Sequence, residues 1–225
     1  MQFIHETNAS QAAAALTERL LVELKADKRV AWFVSGGSNT TLAAQIMADI
    51  PEDLSRKLTV LLLDERFGIP GHPDSNWQQL QNAGFDPKKA HAIPTLQAEK
   101  TLEITCNDYG KTVHQVVENN DIVIAQCGIG GDGHIAGILP RSAALTDSDW
   151  VRGYDGGTYK RITITPPVWK HIDVAYAFAY GNTKLAALQR LKREALSVSD
   201  QPAQLLKEVP EAYVYTDQQL DQTDR

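Results

Sequence analysis

The chain has 225 residues, with 22 Lys and Arg against 28 Asp and Glu and a formal net charge of −6. That length suits one α/β domain over 1–225, large enough to bury a core without metals or disulfides. The acidic balance argues against a nucleic-acid partner, the first residues show no basic stretch leading into an apolar core, and no run approaches the ~18 apolar residues of a membrane span, so a cytoplasmic protein with no membrane partner is expected.

In chain order, Leu16, Leu20, Leu21 and Leu24 share one helical face, after a candidate cap at Ser10. Val30–Val34 is a short apolar run ending in Ser35-Gly36-Gly37-Ser38, followed by a helical stretch with Leu42, Ala43 and Ile46 on one side. Leu58–Leu63 is a second apolar run and ends at Asp64-Glu65-Arg66. Ser75 is placed to cap a helix carrying Trp77 and Leu80, and residues 100–118 read as helix. A third apolar run, 121–127, closes at Cys127, expected as a buried thiol; with only Cys106 beside it, neither a disulfide framework nor a zinc site follows. Arg161–Thr165 alternates like a strand, Val174–Ala179 is apolar, and Asn182 is a candidate cap for a helix bearing Leu185, Leu188 and Leu191. A short helix from Pro202 and a strand at Ala212–Tyr215 complete the pattern.

Apolar runs without alternation are the mark of strands covered on both faces. With helices between them they predict a three-layer α/β sandwich: a mostly parallel, Rossmann-like sheet with helices on both faces. Ligands in such sheets bind outside the carboxyl ends of the strands. Four strand ends carry polar or glycine-rich segments, so one shared site is expected.

The Ser35–Thr41 segment joins a strand to a helix. Its glycines allow close backbone approach to an anion, the helix end offers free N–H groups, and Ser38 and Thr40 add hydroxyls; a plain tight turn with a helix cap would read the same. It is neither a Walker A loop nor a G-x-S-x-G elbow. Arg66 suits a phosphate, with a neighbouring carboxylate to hold it, or a surface salt bridge. Gly128-Ile129-Gly130-Gly131-Asp132-Gly133-His134 delivers one histidine beside one aspartate, the combination best suited to proton transfer near neutral pH. Lys184, in the first turn of a helix, opposes the dipole there and so points to a bound anion, or to a snorkelling surface lysine.

Together these segments resemble the 6-phosphogluconolactonases, within a superfamily that includes the glucosamine-6-phosphate deaminases. The resemblance covers nearly the whole chain: Ser-Gly-Gly-Ser at 35–38, Asp-Glu-Arg then Ser-Asn across 64–76, G-x-G-x-D-G-H-x-A-x-x-x-P at 128–140, Arg-x-Thr-x-Thr at 161–165 and G-x-x-K at 181–184. It implies hydrolysis of 6-phospho-D-glucono-1,5-lactone to 6-phosphogluconate in the oxidative pentose phosphate pathway. His134 would activate a water and Asp132 set its environment. Ser38, Arg66, Lys184 and the Gly36-Gly37 backbone would hold the phosphate, Asp64 would touch substrate or brace Arg66, and the Gly130 and Gly131 N–H groups would receive the oxyanion. No metal or organic cofactor is implied, and the expected partner is the small phosphorylated lactone, with the chain a monomer or homodimer.

The chain departs from the lactonase pattern at Asn39-Thr40, where Thr-Pro is usual, and at Gly137-Ile138-Leu139, where Ser-Leu-Phe is usual. A deaminase would carry Asp-Glu-Tyr in place of Asp64-Glu65-Arg66 and a glutamate at the position of Leu139. A non-catalytic sugar-phosphate-binding regulator would be expected to bring a DNA-binding module, for which no room precedes the first strand.

Overall fold

The computed structural model describes residues 1–146 and 148–220. Its strands are β1 (Gln2–His5), β2 (Val30–Val34), β3 (Leu58–Leu62), β4 (Asp64–Arg66), β5 (His91–Ile93), β6 (Ile122–Cys127), β7 (Val151–Asp155), β8 (Lys160–Ile164), β9 (Val174–Phe178) and β10 (Glu211–Thr216). Its helices are α1 (Ala9–Lys25), α2 (Asn39–Asp49), α3 (Glu52–Ser55), α4 (Asn76–Asn82), α5 (Leu102–Asn119), α6 (Pro166–Trp169) and α7 (Leu185–Arg193), with 3-10 turns at Asn182–Lys184 and Pro202–Lys207. Among these residues, seven strands form a parallel sheet in the order β1-β10-β9-β6-β2-β3-β5.

The unbroken apolar run of β2 follows from burial on both faces. Val30, Trp32 and Val34 pack with Leu16, Leu20, Ile46 and Met47 of α1 and α2. Ala31 and Phe33 turn the other way, into the cluster that holds Val113 of α5 and Leu188 of α7. Helices therefore cover both faces of the parallel sheet. Building outward from adjacent β2 and β6, the chain adds β3 and β5 on one side and β9 and β10 on the other. The strand order thus reverses between β2 and β6, where a crevice opens at the carboxyl ends.

Two expected caps are corrected. The carboxamide of Asn8, not Ser10, caps α1, accepting from the N–H groups of Ser10 and Gln11 at 3.0 and 3.4 Å. Asn182 makes no side-chain cap bond; it opens a 3-10 turn after Gly181, whose φ of +93° is left-handed, and α7 starts only at Leu185. Lys184 therefore sits at the threshold of α7 rather than in its first turn.

A second, antiparallel sheet, β4-β8-β7, was not foreseen. The chain leaves the parallel sheet at Leu63, whose N–H still donates to Val34 while its carbonyl accepts from Ile164 of the small sheet, each at about 2.9–3.0 Å. β4 then pairs with β8 so that Asp64 opposes Thr163 and Arg66 opposes Arg161.

Glu65, fully buried in β4, anchors this departure. Its Oε1 accepts from the N–H groups of Arg66 and Asn76, both at 2.6 Å. Its Oε2 accepts from the Ser75 hydroxyl at 2.9 Å and the Trp77 N–H at 3.1 Å. Burial pushes the Glu65 carboxyl above its ordinary range, and these donors pull the other way without cancelling it. The Ser75 hydroxyl also caps α4 as expected, accepting from Gln78. Glu65→Ala strands several buried donors at once, each worth about 1–3 kcal/mol. The variant should lose roughly 3 kcal/mol or more of stability, read as a lower urea midpoint at unchanged m-value.

Candidate active site

Four strand-end segments line a cleft of about 280 Å³ at the β2/β6 crevice, and three of the lining residues, Asp64, Arg66 and Arg161, belong to the small sheet. Ser35 to Asn39 follow β2, Asp64 and Arg66 follow β3, Gly128, Ile129, Gly130 and His134 follow β6, and Tyr180 and Lys184 follow β9. Arg161 enters from β8 and Asn76 from the start of α4. A larger groove of about 730 Å³ lies between α5 and β7, near Cys106 and Trp150, but none of the four segments reaches it.

The loop after β2 is shaped by its neighbours. A Cβ on Gly36 would fall 1.9 Å from Asn76 Oδ1, so only glycine lets the loop pass, and Gly37 takes a left-handed φ of +66°. Among the described residues the N–H groups of 36–39 find no acceptor, and the exposed Ser38 spends no hydroxyl on capping α2. These N–H groups belong to cleft-lining residues that lead into an eleven-residue helix, a favourable setting for an anion. Thr40 is different from what the sequence suggested: it is buried, and its hydroxyl donates to the Gly37 carbonyl at 2.9 Å, stiffening the turn.

The loop after β6 holds the histidine. His134 Nδ1 lies 2.6 Å from Asp132 Oδ1, and the same oxygen accepts from the His134 N–H at 3.1 Å. Burial pushes Asp132 up, but the His134 N–H bond, the imidazole charge and the ring hydrogen bond outweigh it and hold the carboxyl below its ordinary range. An ionised carboxylate only accepts, so Nδ1 carries a proton, and in the neutral imidazole Nε2 is then the nitrogen with the free lone pair. The Gly130 N–H, expected to be a free donor, instead donates to the His134 carbonyl at 2.9 Å and is consumed in closing the loop. The Gly131 N–H finds no acceptor among the described residues, but Gly131 packs against Thr183, where a Cβ would lie 2.7 Å from the carbonyl oxygen, and it does not line the cleft.

Positive charge gathers on the facing wall. Arg66 Nη1 donates to the Asp74 carbonyl at 2.9 Å; among the described residues no carboxylate grips its guanidinium, so the brace found in place of the expected carboxylate is a main-chain oxygen. Asp64 makes its bond to Asn76 instead, accepting from Nδ2 at 3.2 Å. Burial drives Asp64 upward, and the charges of Arg66, Arg161 and His134 with the Asn76 bond offset this only in part. Arg66 and Arg161 are register partners, and like charges directly opposed across two strands repel. Lys184 adds a third cation, on a turn whose Gly181 N–H donates to Asp217 at 2.9 Å.

Five cleft-lining residues, Ser35, Arg66, Asn76, Arg161 and Tyr180, each bury a polar side-chain atom that has no hydrogen-bond partner among the described residues. Buried polar atoms are ordinarily paired, and a cluster of exceptions marks a surface made to meet a polar ligand. Asn76 and Arg161 appeared in the sequence only within longer patterns, and Tyr180 not at all. Arg161 was accessible through alternation: it shares a strand face with Thr163, which is buried against Asp64 and Gly137.

Fold and cleft define the class: an α/β protein with a cationic cleft at the carboxyl ends of its parallel strands. The family described as glucosamine-6-phosphate isomerases/6-phosphogluconolactonase matches residues 5–215, and the chain belongs to it. A 6-phosphogluconolactonase of Xylella fastidiosa is 29% identical over 204 residues, covering 85% of this chain and 82% of that one. The structure of a 6-phosphogluconolactonase from Thermotoga maritima aligns with a TM-score of 0.77 at 15% identity, over 96% of this chain and 97% of that one. A monomeric glucosamine-6-phosphate deaminase aligns equally well, with a TM-score of 0.77 at 18% identity over the same shares. At such identities the likeness is one of fold, and fold alone does not separate the two activities. Among the described residues, no helix is long and apolar enough to cross a membrane.

Two outcomes follow from this geometry. A Cβ on Gly130 would lie 2.1 Å from His134 Nδ1 and 2.6 Å from Asp132 Oδ1, so Gly130→Ala should break the pair. The check is the low-field Nδ1 proton resonance of His134, which should vanish while the fold, by circular dichroism, persists. Asp64 is held protonated to higher pH in the folded chain than in the unfolded one. Its folded state therefore binds more protons, and stability falls as pH rises through the folded-state value. Asp64→Asn removes that loss, so its Tm advantage over the wild type should be small in acid and grow toward neutral pH; a pH-independent difference would contradict it.

Proposed function

We propose that the protein hydrolyses 6-phospho-D-glucono-1,5-lactone to 6-phosphogluconate, the reaction named in its relatives. The observation that carries this reading is the juxtaposition, in one cleft, of an Asp-held imidazole with three cations and a row of free N–H groups. The phosphate is received by Arg66, Arg161 and Lys184, with Ser38 and the N–H groups of the Gly36-Gly37 turn. Two arginines opposed in register lose their mutual repulsion when a dianion sits between them.

His134 acts as general base. Its Nδ1 proton is committed to Asp132, so Nε2 takes a proton from water as that water attacks the lactone carbonyl. The imidazolium formed is stabilised by Asp132 and returns the proton to the ring oxygen as the ester bond breaks. A lactone is already an activated acyl group, so positioning and one base go far. With the Gly130 N–H consumed, the Gly131 N–H is the remaining loop donor, and it reaches an oxyanion only if the Thr183 contact opens. The reaction requires no cofactor in this reading, and the ligand is the small phosphorylated lactone alone, with no nucleic acid or membrane.

The deaminase alternative is disfavoured at Leu139. A glutamate there would assist ring opening, whereas Leu139 packs against the apolar cluster beneath the small sheet. The departure at Gly137 also has a structural basis. A Cβ there would lie 2.9 Å from both Asp64 Cβ and Thr163 Cβ, so the usual serine does not fit this packing.

The test is an assay on freshly prepared lactone beside an ammonia-release assay on glucosamine 6-phosphate. Lactone hydrolysis should be accelerated and ammonia should not appear; the reverse result rejects the reading. His134→Gln should lower kcat by roughly 10²–10⁴-fold with KM little changed.

A further inference from the structure

We infer that Tyr159 is a positioning residue that holds Arg66 and Arg161 converged on the anion subsite, an inference that rests on the phosphate reading above. Arg66 and Arg161 are cross-strand register partners, and each has a buried Nε without a hydrogen-bond partner among the described residues. Long side chains under mutual repulsion would relieve it by swinging into solvent. Instead, both lie over one ring: the Arg66 Cζ is 5.3 Å and the Arg161 Cζ 6.0 Å from the Tyr159 centroid. Within about 6 Å the negative face of an aromatic ring attracts a guanidinium.

The choice of a ring has a chemical consequence. A carboxylate between the arginines would hold them more strongly, but it would occupy the contacts that an incoming phosphate needs. A neutral π face attracts both cations without consuming N–H groups beyond the one that Arg66 Nη1 gives to the Asp74 carbonyl. The turn from β7 to β8 is built around this arrangement. Gly156 N–H donates to the Tyr159 carbonyl at 2.9 Å, and Gly157 takes a left-handed φ of +87° to reverse the chain. A Cβ on Gly156 would lie 2.8 Å from Arg161 Nε, so glycine leaves the guanidinium its place under the turn. The Tyr159 hydroxyl approaches Asp74 Oδ1 at 3.5 Å, and Asp74 is the residue whose carbonyl accepts from Arg66. Ring and arginine are thus referenced to the same point of the loop.

The experiment titrates inorganic phosphate by calorimetry into the wild type, Arg66→Ala, Tyr159→Leu and Tyr159→Phe, and measures KM and kcat on the phosphorylated lactone. Tyr159→Phe keeps the ring and should stay within about twofold of the wild type. Tyr159→Leu should weaken phosphate binding and raise KM by roughly 3- to 30-fold, with kcat within about twofold. Tyr159→Gln reads the same loss should the leucine variant fail to fold. Unchanged phosphate binding and KM in the non-aromatic variants, a loss confined to kcat, or an equal loss in Tyr159→Phe would overturn the role of the ring. Phosphate binding unaffected by Arg66→Ala would instead overturn the phosphate reading itself, and this inference with it.

Discussion

The carboxylate of Glu65 is out of contact with solvent and accepts four hydrogen bonds, three from main-chain N–H groups and one from a serine. Burying a charge is costly, and its raised pKa records that cost. What it secures is a junction. Glu65 ties β4 to the first turn of α4, and so fixes Asp64 and Arg66 on one side and Asn76 on the other. All three line the cleft. Asn76 in turn requires glycine at 36, and so governs the path of the loop after β2. Glu65 touches no ligand surface, yet the spacing of two walls of the cleft follows from it.

The cleft brings several departures from ordinary packing together in one place. Elsewhere, apolar side chains fill both faces of the parallel sheet. Here a buried carboxylate is held above its ordinary range, two arginines are register partners, and five buried polar atoms lack partners among the described residues. Each feature costs stability by itself. They meet at the reversal of strand order, where an open parallel sheet offers a crevice and where a polar ligand would restore the missing partners.

The same packing accounts for where the chain leaves its family's pattern. Gly137 sits where backbone, Asp64 and Thr163 converge, and its carbonyl accepts from the Tyr154 hydroxyl at 2.6 Å. Ala136 beside it holds a left-handed φ of +51° while lining the cleft. The segment after His134 is thus tightly bent against the small sheet, and Leu139 leaves the cleft for the core.

Much was legible in the sequence. The uninterrupted apolar character of Val30–Val34 and Ile122–Cys127 dictates strands buried on both faces, hence a parallel sheet with helices on each side. The polar segments at their ends come together in one cleft, and the pairing of His134 with Asp132 is read from two residues' separation because that contact is local. The antiparallel sheet was not legible. β4 has three residues and carries no periodicity, and its partner lies about a hundred positions away. With that sheet came Arg161 opposite Arg66, and Tyr159 over both. Spending of donors was equally hidden: whether the Thr40 hydroxyl or the Gly130 N–H remains free depends on φ and ψ within a turn, which residue types constrain but do not specify. Sequence determines which groups a loop carries and which surfaces must be buried; only the tertiary structure decides which groups meet across the chain and which are already bonded, because both depend on distances that no local pattern encodes.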